Sequence, residues 1–225
     1  MKGILALASA IAGLFALSGT AMAQAPVAVV EEIKGKVAGV EFMDYVVAGK
    51  VIKLGPKDSI VLGYMNSCWR ETITGGTVVI GAEQSLVHLG NIAREKVDCD
   101  AGQMQLTAPQ TNQSAATVFR GMAPSQQGAP QPRLTVYGIS PIFEVKGRGT
   151  LVIERVDQKG ERHDVAIGSG SLTKGKFYDL GKDRKTLTPG GTYLARLGTH
   201  QTVFRIDSQA KPGATPIIGR LVRLE

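Results

Sequence analysis

Glycine decides most of what this chain can become. Its 225 residues include 28 glycines, and these cut the apolar residues into short runs rich in valine and isoleucine. A run of four to eight such residues between turn signals reads as a strand, because a helix needs a longer stretch with a period near four. Turn signals stand at Ala38-Gly39, Ala48-Gly49 and Gly55-Pro56-Lys57-Asp58. Short strand runs lie between them, at 41–43 and 50–54. The runs at 71–73 and 77–80 flank Thr74-Gly75-Gly76, where the glycine pair can take the positive φ of a tight hairpin. The run SIVLGYM at 59–65 places Ile60, Leu62 and Tyr64 on one face and Val61 and Met65 on the other. That is the pattern of a strand covered on both sides. Residues 92–99 complete this first unit, which spans 24–108.

A break in composition follows at 109–133, which holds four of the ten prolines and five glutamines. It has no apolar period and reads as a Pro/Gln-rich linker that lets its two flanks engage partners separately. Strand runs resume in the second unit, 134–225, at 150–156, 163–167, 194–197, 202–207 and 217–224. Their spacing predicts a β-sandwich. The sharpest local pattern is L-x-P-G-x-x-Y at Leu187, Pro189, Gly190 and Tyr193. A turn delivers a tyrosine onto a strand, and its hydroxyl can bond back to the backbone just upstream, the logic of the tyrosine corner of immunoglobulin-like folds. The fold class expected is therefore all-β, with an immunoglobulin-like sandwich at 134–225.

The first 23 residues read as an address. Met1-Lys2 is positive, 4–17 is an almost unbroken apolar run, and Ala21-Met22-Ala23 supplies small residues where a signal peptidase cuts. Cleavage after Ala23 is expected, with a periplasmic location. The apolar run falls short of the roughly 20 residues a membrane helix needs, and no later stretch is apolar enough to span a bilayer. In an exported protein the two cysteines, Cys68 and Cys99, are expected to form a disulfide. A metal site wants three or four close ligands, and only His88 lies near either thiol in sequence.

Gly35-Lys36-Val37, a spacer, and then 49–63 (GKVIKLGPKDSIVLG) resemble the extracytoplasmic domain of the FecR family over about residues 30–100. The family pattern is G-x-V, a spacer, a glycine before a short strand, and a turn into a strand of alternating apolar residues. Residues 67–73 depart from it and look like an exported subgroup with its own disulfide. The family's regulators carry a sigma-binding segment and a membrane helix before this domain. Neither is read here, so the resemblance implies a shared all-β module and not sigma-factor control.

No motif carries a convincing catalytic set. His88, His163 and His200 are far apart, with no metal-ligand spacing. Gly168-Ser169-Gly170-Ser171 lacks the glycine that a nucleophile elbow places two residues after its serine. The acidic pairs Glu31-Glu32 and Asp98/Asp100 look exposed and without the buried partner that would tune a carboxyl. Trp69 reads as packing beside the disulfide. Charge is more informative. The net is +7, yet 24–108 holds 8 Lys/Arg against 10 Asp/Glu while 134–225 holds 15 against 9. Lys174, Lys176, Lys182, Arg184 and Lys185 crowd one loop-rich stretch with Phe177 and Tyr178 inside it. They form the candidate site for an anionic partner: an acidic envelope protein, a glycan or lipopolysaccharide.

The expectation is a non-catalytic exported protein that binds or scaffolds in the bacterial cell envelope, without cofactor, metal or nucleic acid and not spanning the membrane. The alternatives are an accessory sensor presenting a ligand to a membrane partner, and an enzyme with a site assembled from distant residues. Oligomeric state stays open.

Overall fold

The computed structural model describes residues 24–101 and 130–225. Residues 1–23, expected to be an address, and most of the Pro/Gln-rich stretch lie outside these described residues. Within them the chain is all-β, with one 3-10 turn as its only helical element.

The first unit holds β1 (Pro26–Lys34), β2 (Tyr45–Val47), β3 (Val51–Tyr64), β4 (Trp69–Ile80), β5 (Ser85–His88) and β6 (Asn91–Lys96). They form one sheet in the order β2-β1-β3-β4-β5, and β6 pairs with β4 beside β5. Two expected turns are not turns. Gly55–Asp58 lies inside β3, where the register against β4 shifts between Leu54 and Ser59. Gly75-Gly76 lies inside β4 rather than in a hairpin. The two signals face each other across the ladder, so both strands bend at the same level instead of reversing. Positive φ at Gly75 (66°) and Gly76 (80°) supplies the bend in β4. In β3 the Asp58 carboxylate braces it by accepting the Gly55 N–H at 3.0 Å and the Lys36 N–H at 3.2 Å. The bend brings the two halves of the sheet around one core, with Ile52, Leu54, Val78 and Ile80 from one half and Val30, Ile60, Leu62, Tyr64 and Ile73 from the other.

Cys68 and Cys99 are bonded, with Cα atoms 5.6 Å apart. The bridge ties the turn after β3 to the chain leaving β6.

The second unit holds β7 (Leu134–Gly138), β8 (Ile142–Glu144), β9 (Gly149–Arg155), β10 (Arg162–Ile167), β11 (Phe177–Asp179), β12 (Thr192–Leu197), β13 (His200–Lys211) and β14 (Leu221–Arg223). A five-stranded sheet, β10-β9-β12-β13-β7, and a three-stranded one, β11-β8-β14, share a core of Val136, Phe143, Leu151, Ile153, Tyr178, Tyr193, Phe204 and Val222. Antiparallel pairs dominate, but β7 runs parallel to β13 and β14 parallel to β8. The strand expected over 217–224 is shorter. Ile217–Gly219 forms the 3-10 turn, and only Leu221–Arg223 pairs, because both isoleucines are drawn away from the ladder into a third apolar cluster.

That cluster joins the units. Val29, Met43 and Met65 of the first pack with Ile142, Phe177, Ile217, Ile218 and Leu221 of the second. The strand read as covered on both faces is so covered: Ile60, Leu62 and Tyr64 enter their own core, while Met65 meets the other unit. The units thus share a core and are not joined by a tether alone.

Candidate functional site

Polar groups are paired where the units meet. A bulge in β1 leaves Glu31 between Val30, which pairs Leu62, and Glu32, which pairs Val61. Glu31 turns into the joint, where one oxygen accepts the Ile218 N–H at 2.9 Å and the other accepts Arg70 Nε at 2.9 Å. Grouping it with Glu32 as an exposed pair is therefore corrected: Glu31 is buried, and burial raises its carboxyl above the ordinary glutamate value against the pull of those two donors. Beside it, the Tyr45 hydroxyl donates to Glu144 at 2.7 Å, and Arg223 Nε meets the same oxygen at 3.1 Å. Burial holds the Tyr45 phenol well above its usual range. Asp100 accepts the Thr135 N–H at 2.8 Å.

The five residues of the basic stretch divide between two environments. Lys174 and Lys176 belong to the joint. The Lys174 ammonium reaches Glu41 at 2.8 Å and also contacts Asp44. Lys176 sits 3.2 Å from Glu144, over the rings of Tyr45 and Phe177. Lys182, Arg184 and Lys185 stand together beyond β11, on a loop whose base is tied down. Arg220 pairs with Asp179 at 3.2 Å, the Tyr178 hydroxyl donates to Asp183 at 2.5 Å, and Ser140 donates to the Lys185 carbonyl at 2.8 Å. Lys182 Nζ donates to Thr173 at 2.8 Å. Among the described residues, none of the three has an ion pair.

Leu187 is buried at the end of that loop. Pro189 and Gly190 turn the chain, with Gly190 at φ 78°, and Tyr193 enters the core. Its hydroxyl accepts the Thr188 N–H at 2.8 Å and donates to Glu161 at 2.7 Å. Nearby, Arg155 holds the Asp157 carboxyl down at about 2. This knot fixes the far end of the same loop.

The remaining candidates do not converge. His88 is exposed on β5, His163 is the second residue of β10, and His200 opens β13. Ser171 Oγ donates to the Gly168 carbonyl at 2.9 Å, so the glycine–serine stretch closes its own surface turn. Among the described residues no three His, Cys, Asp or Glu side chains stand close enough to hold a metal. Trp69 packs at the edge of the first core with Lys96 4.9 Å above its ring. A groove of about 570 Å³ runs along the joint past Lys96, Asp98, Tyr137, Lys211 and Thr215. Sequence reading missed one charged group altogether. Glu71 is fully buried, accepting Arg94 Nε at 2.7 Å and the Ser85 N–H at 3.1 Å, while Ser85 also bonds Tyr64 at 2.8 Å. The signal was present, since Glu71 lies two residues before inward-facing Ile73 on one strand.

The chain matches no protein-family model, no curated protein and no solved structure.

Proposed function

We propose that this is a non-catalytic binding or scaffolding protein of the bacterial cell envelope, exported to the periplasm with cleavage after Ala23. On this reading the first unit is a FecR-like module and the second an immunoglobulin-like sandwich. The supporting observation is the loop over 180–187. Its main chain is fixed where the Leu180 N–H donates to the Pro141 carbonyl at 3.0 Å, the Leu187 N–H to the Ile139 carbonyl at 2.7 Å and Ser140 to the Lys185 carbonyl at 2.8 Å, while Lys182, Arg184 and Lys185 carry no ion pair among the described residues. Cations held on an ordered loop lose little entropy on meeting an anionic surface, which favours acidic glycan, lipopolysaccharide or an acidic protein face as partner.

Charge reversal at Lys182, Arg184 and Lys185 should abolish retention on envelope fractions at low salt. Reversal of Lys159, on the β9–β10 loop, should not. Unchanged retention of the triple variant would end this reading. A pull-down that recovers one membrane receptor in place of envelope polymer would replace scaffolding with sensing.

A further inference from the structure

The bent end of the first unit displays a leucine that its fold gives no reason to keep. Leu89, at the corner between β5 and β6, is fully exposed, at 101% of its free accessibility. Its φ is 56°, a left-handed conformation that favours glycine or asparagine over leucine. Neither solvent nor backbone favours this residue. The corner itself is closely packed. A Cβ on Gly90 would lie 2.2 Å from the Gly75 carbonyl oxygen, and one on Gly76 would lie 2.3 Å from that of His88. The corner lies flat on the bend, and the Leu89 side chain projects from a supported base.

Three lysines stand on the strands and the bend beside it. Lys53 shares a cross-strand row with Thr77 and His88, the residue next to Leu89. Lys57 follows Pro56, whose Cα is 3.7 Å from where a Gly75 Cβ would stand. Lys36 is fixed against the same bend by its N–H bond to Asp58. None of these three ammoniums has an ion pair among the described residues. The neighbouring acids are occupied, Asp58 by backbone N–H groups and Glu32 by Lys34 at 3.1 Å. In the next row, Val51 (54% exposed) and Leu86 (60%) flank Val79 and add apolar area on the outer face.

We propose that this end is a contact surface for an anionic lipid layer. Leu89 enters below the headgroups, and Lys36, Lys53 and Lys57 meet the phosphates. An aliphatic side chain on a firm protrusion, with uncompensated cations on the adjoining strands and bend, matches the two zones of such a layer. The surface lies on the opposite unit from the Lys182–Lys185 loop, so either reading can fail without the other.

The test is co-sedimentation of the chain as cells produce it with vesicles of phosphatidylglycerol and phosphatidylcholine, against phosphatidylcholine alone. The native chain should prefer the anionic vesicles. Leu89→Asn should lower binding about tenfold while the unfolding midpoint holds or rises, since asparagine tolerates this backbone. Lys53→Gln with Lys57→Gln should lower binding to the anionic vesicles by about twentyfold and erase the preference. Equal binding by native and variant chains, or no preference in the native chain, overturns the proposal. A lowered midpoint for Leu89→Asn would give the leucine a structural role and overturn it as well.

Discussion

Gly63→Ala is the sharpest probe of the joint. Gly63 sits in β3 opposite Val29 and Arg70, and its ladder bonds do not involve the side chain. An added Cβ would stand 2.5 Å from Ile218 Cγ2 and 2.7 Å from Glu31 Oε1. Ordinary carbon contacts need about 3.5–4.0 Å, so the units must part by about 1 Å at this point. Neither neighbour has room to yield. Ile218 is 2% exposed, and the Glu31 carboxylate is held by Arg70 on one side and the Ile218 N–H on the other. Overpacking of this kind costs about 1–3 kcal/mol. Alanine's lower chain entropy returns less than about 1 kcal/mol of it. The expected net loss is about 1.5 kcal/mol, a fall in melting temperature of about 3–6 °C for a protein of this size. Urea unfolding followed by circular dichroism gives the free energy, and amide exchange at Ile218 gives the location. Gly168→Ala is the control, because nothing lies within 4 Å of its Cβ position. A Gly63→Ala protein within about 0.5 kcal/mol of native, with Ile218 protection intact, would refute the reasoning.

The remaining expectations are independent of that one. Replacing both Cys68 and Cys99 by serine releases a loop of 31 residues' separation, which chain entropy values at about 3.7 kcal/mol; denaturant midpoints of oxidised, reduced and mutant protein should show it. Tyr193→Phe removes one donor from Glu161, whose other oxygen keeps the Thr188 N–H at 3.2 Å, and should cost about 1–2 kcal/mol, read by thermal unfolding, whereas a loss near zero would remove the corner from the stability argument. Because burial raises the Glu31 carboxyl, the folded chain keeps that proton to higher pH than the unfolded chain. Its contribution is full below the ordinary glutamate value and is lost as pH rises through the folded one. Glu31→Gln should flatten stability against pH across that mildly acidic window, and an unchanged slope would contradict the assignment. Asp157 has the opposite sign: with its carboxyl held at about 2 by Arg155, Asp157→Asn should remove stability that the native protein loses only as pH falls from the ordinary aspartate range toward 2.

The all-β class, the disulfide and most strand positions were legible, because alternation and glycine spacing are local properties. Ser59–Met65 announced two covered faces from its residues alone. What local reading could not supply was the direction of the chain at glycine. Gly75-Gly76 and Gly55–Asp58 carry the composition of turns, and each would be one in isolation. They became bends because each faces the other in a paired strand, a fact about partners some twenty residues away in sequence. The burial of Glu31 was unreadable, and that of Glu71 was signalled by its face alone, for a related reason. A glutamate looks solvated until the arginine that reaches it is placed, and Arg70 and Arg94 lie 39 and 23 residues distant. The basic stretch was visible as a cluster, but its division was not, since nothing in the string KGKFYDLGKDRK tells the lysines that face Glu41, Asp44 and Glu144 from the cations that face outward.

That division changes what the charge asymmetry means. An acidic first unit and a basic second unit, read as separate bodies, point to outside partners for both. Lys174 crosses the joint to Glu41 and Asp44, and Tyr45 crosses back to the Glu144–Lys176–Arg223 group. Part of the imbalance is therefore one unit complementing the other, and it supports the shared apolar cluster rather than recognition. The cations left over are the informative ones. Among the described residues without an ion pair are Lys182, Arg184 and Lys185 on the second unit, crowded on one loop, and Lys36, Lys53 and Lys57 on the first, near its bend. Because the units share a core, the spacing of these two groups is set by the joint and not by the reach of a linker. Any partner that engages both must match a fixed separation, and the gain from binding twice is then a matter of geometry.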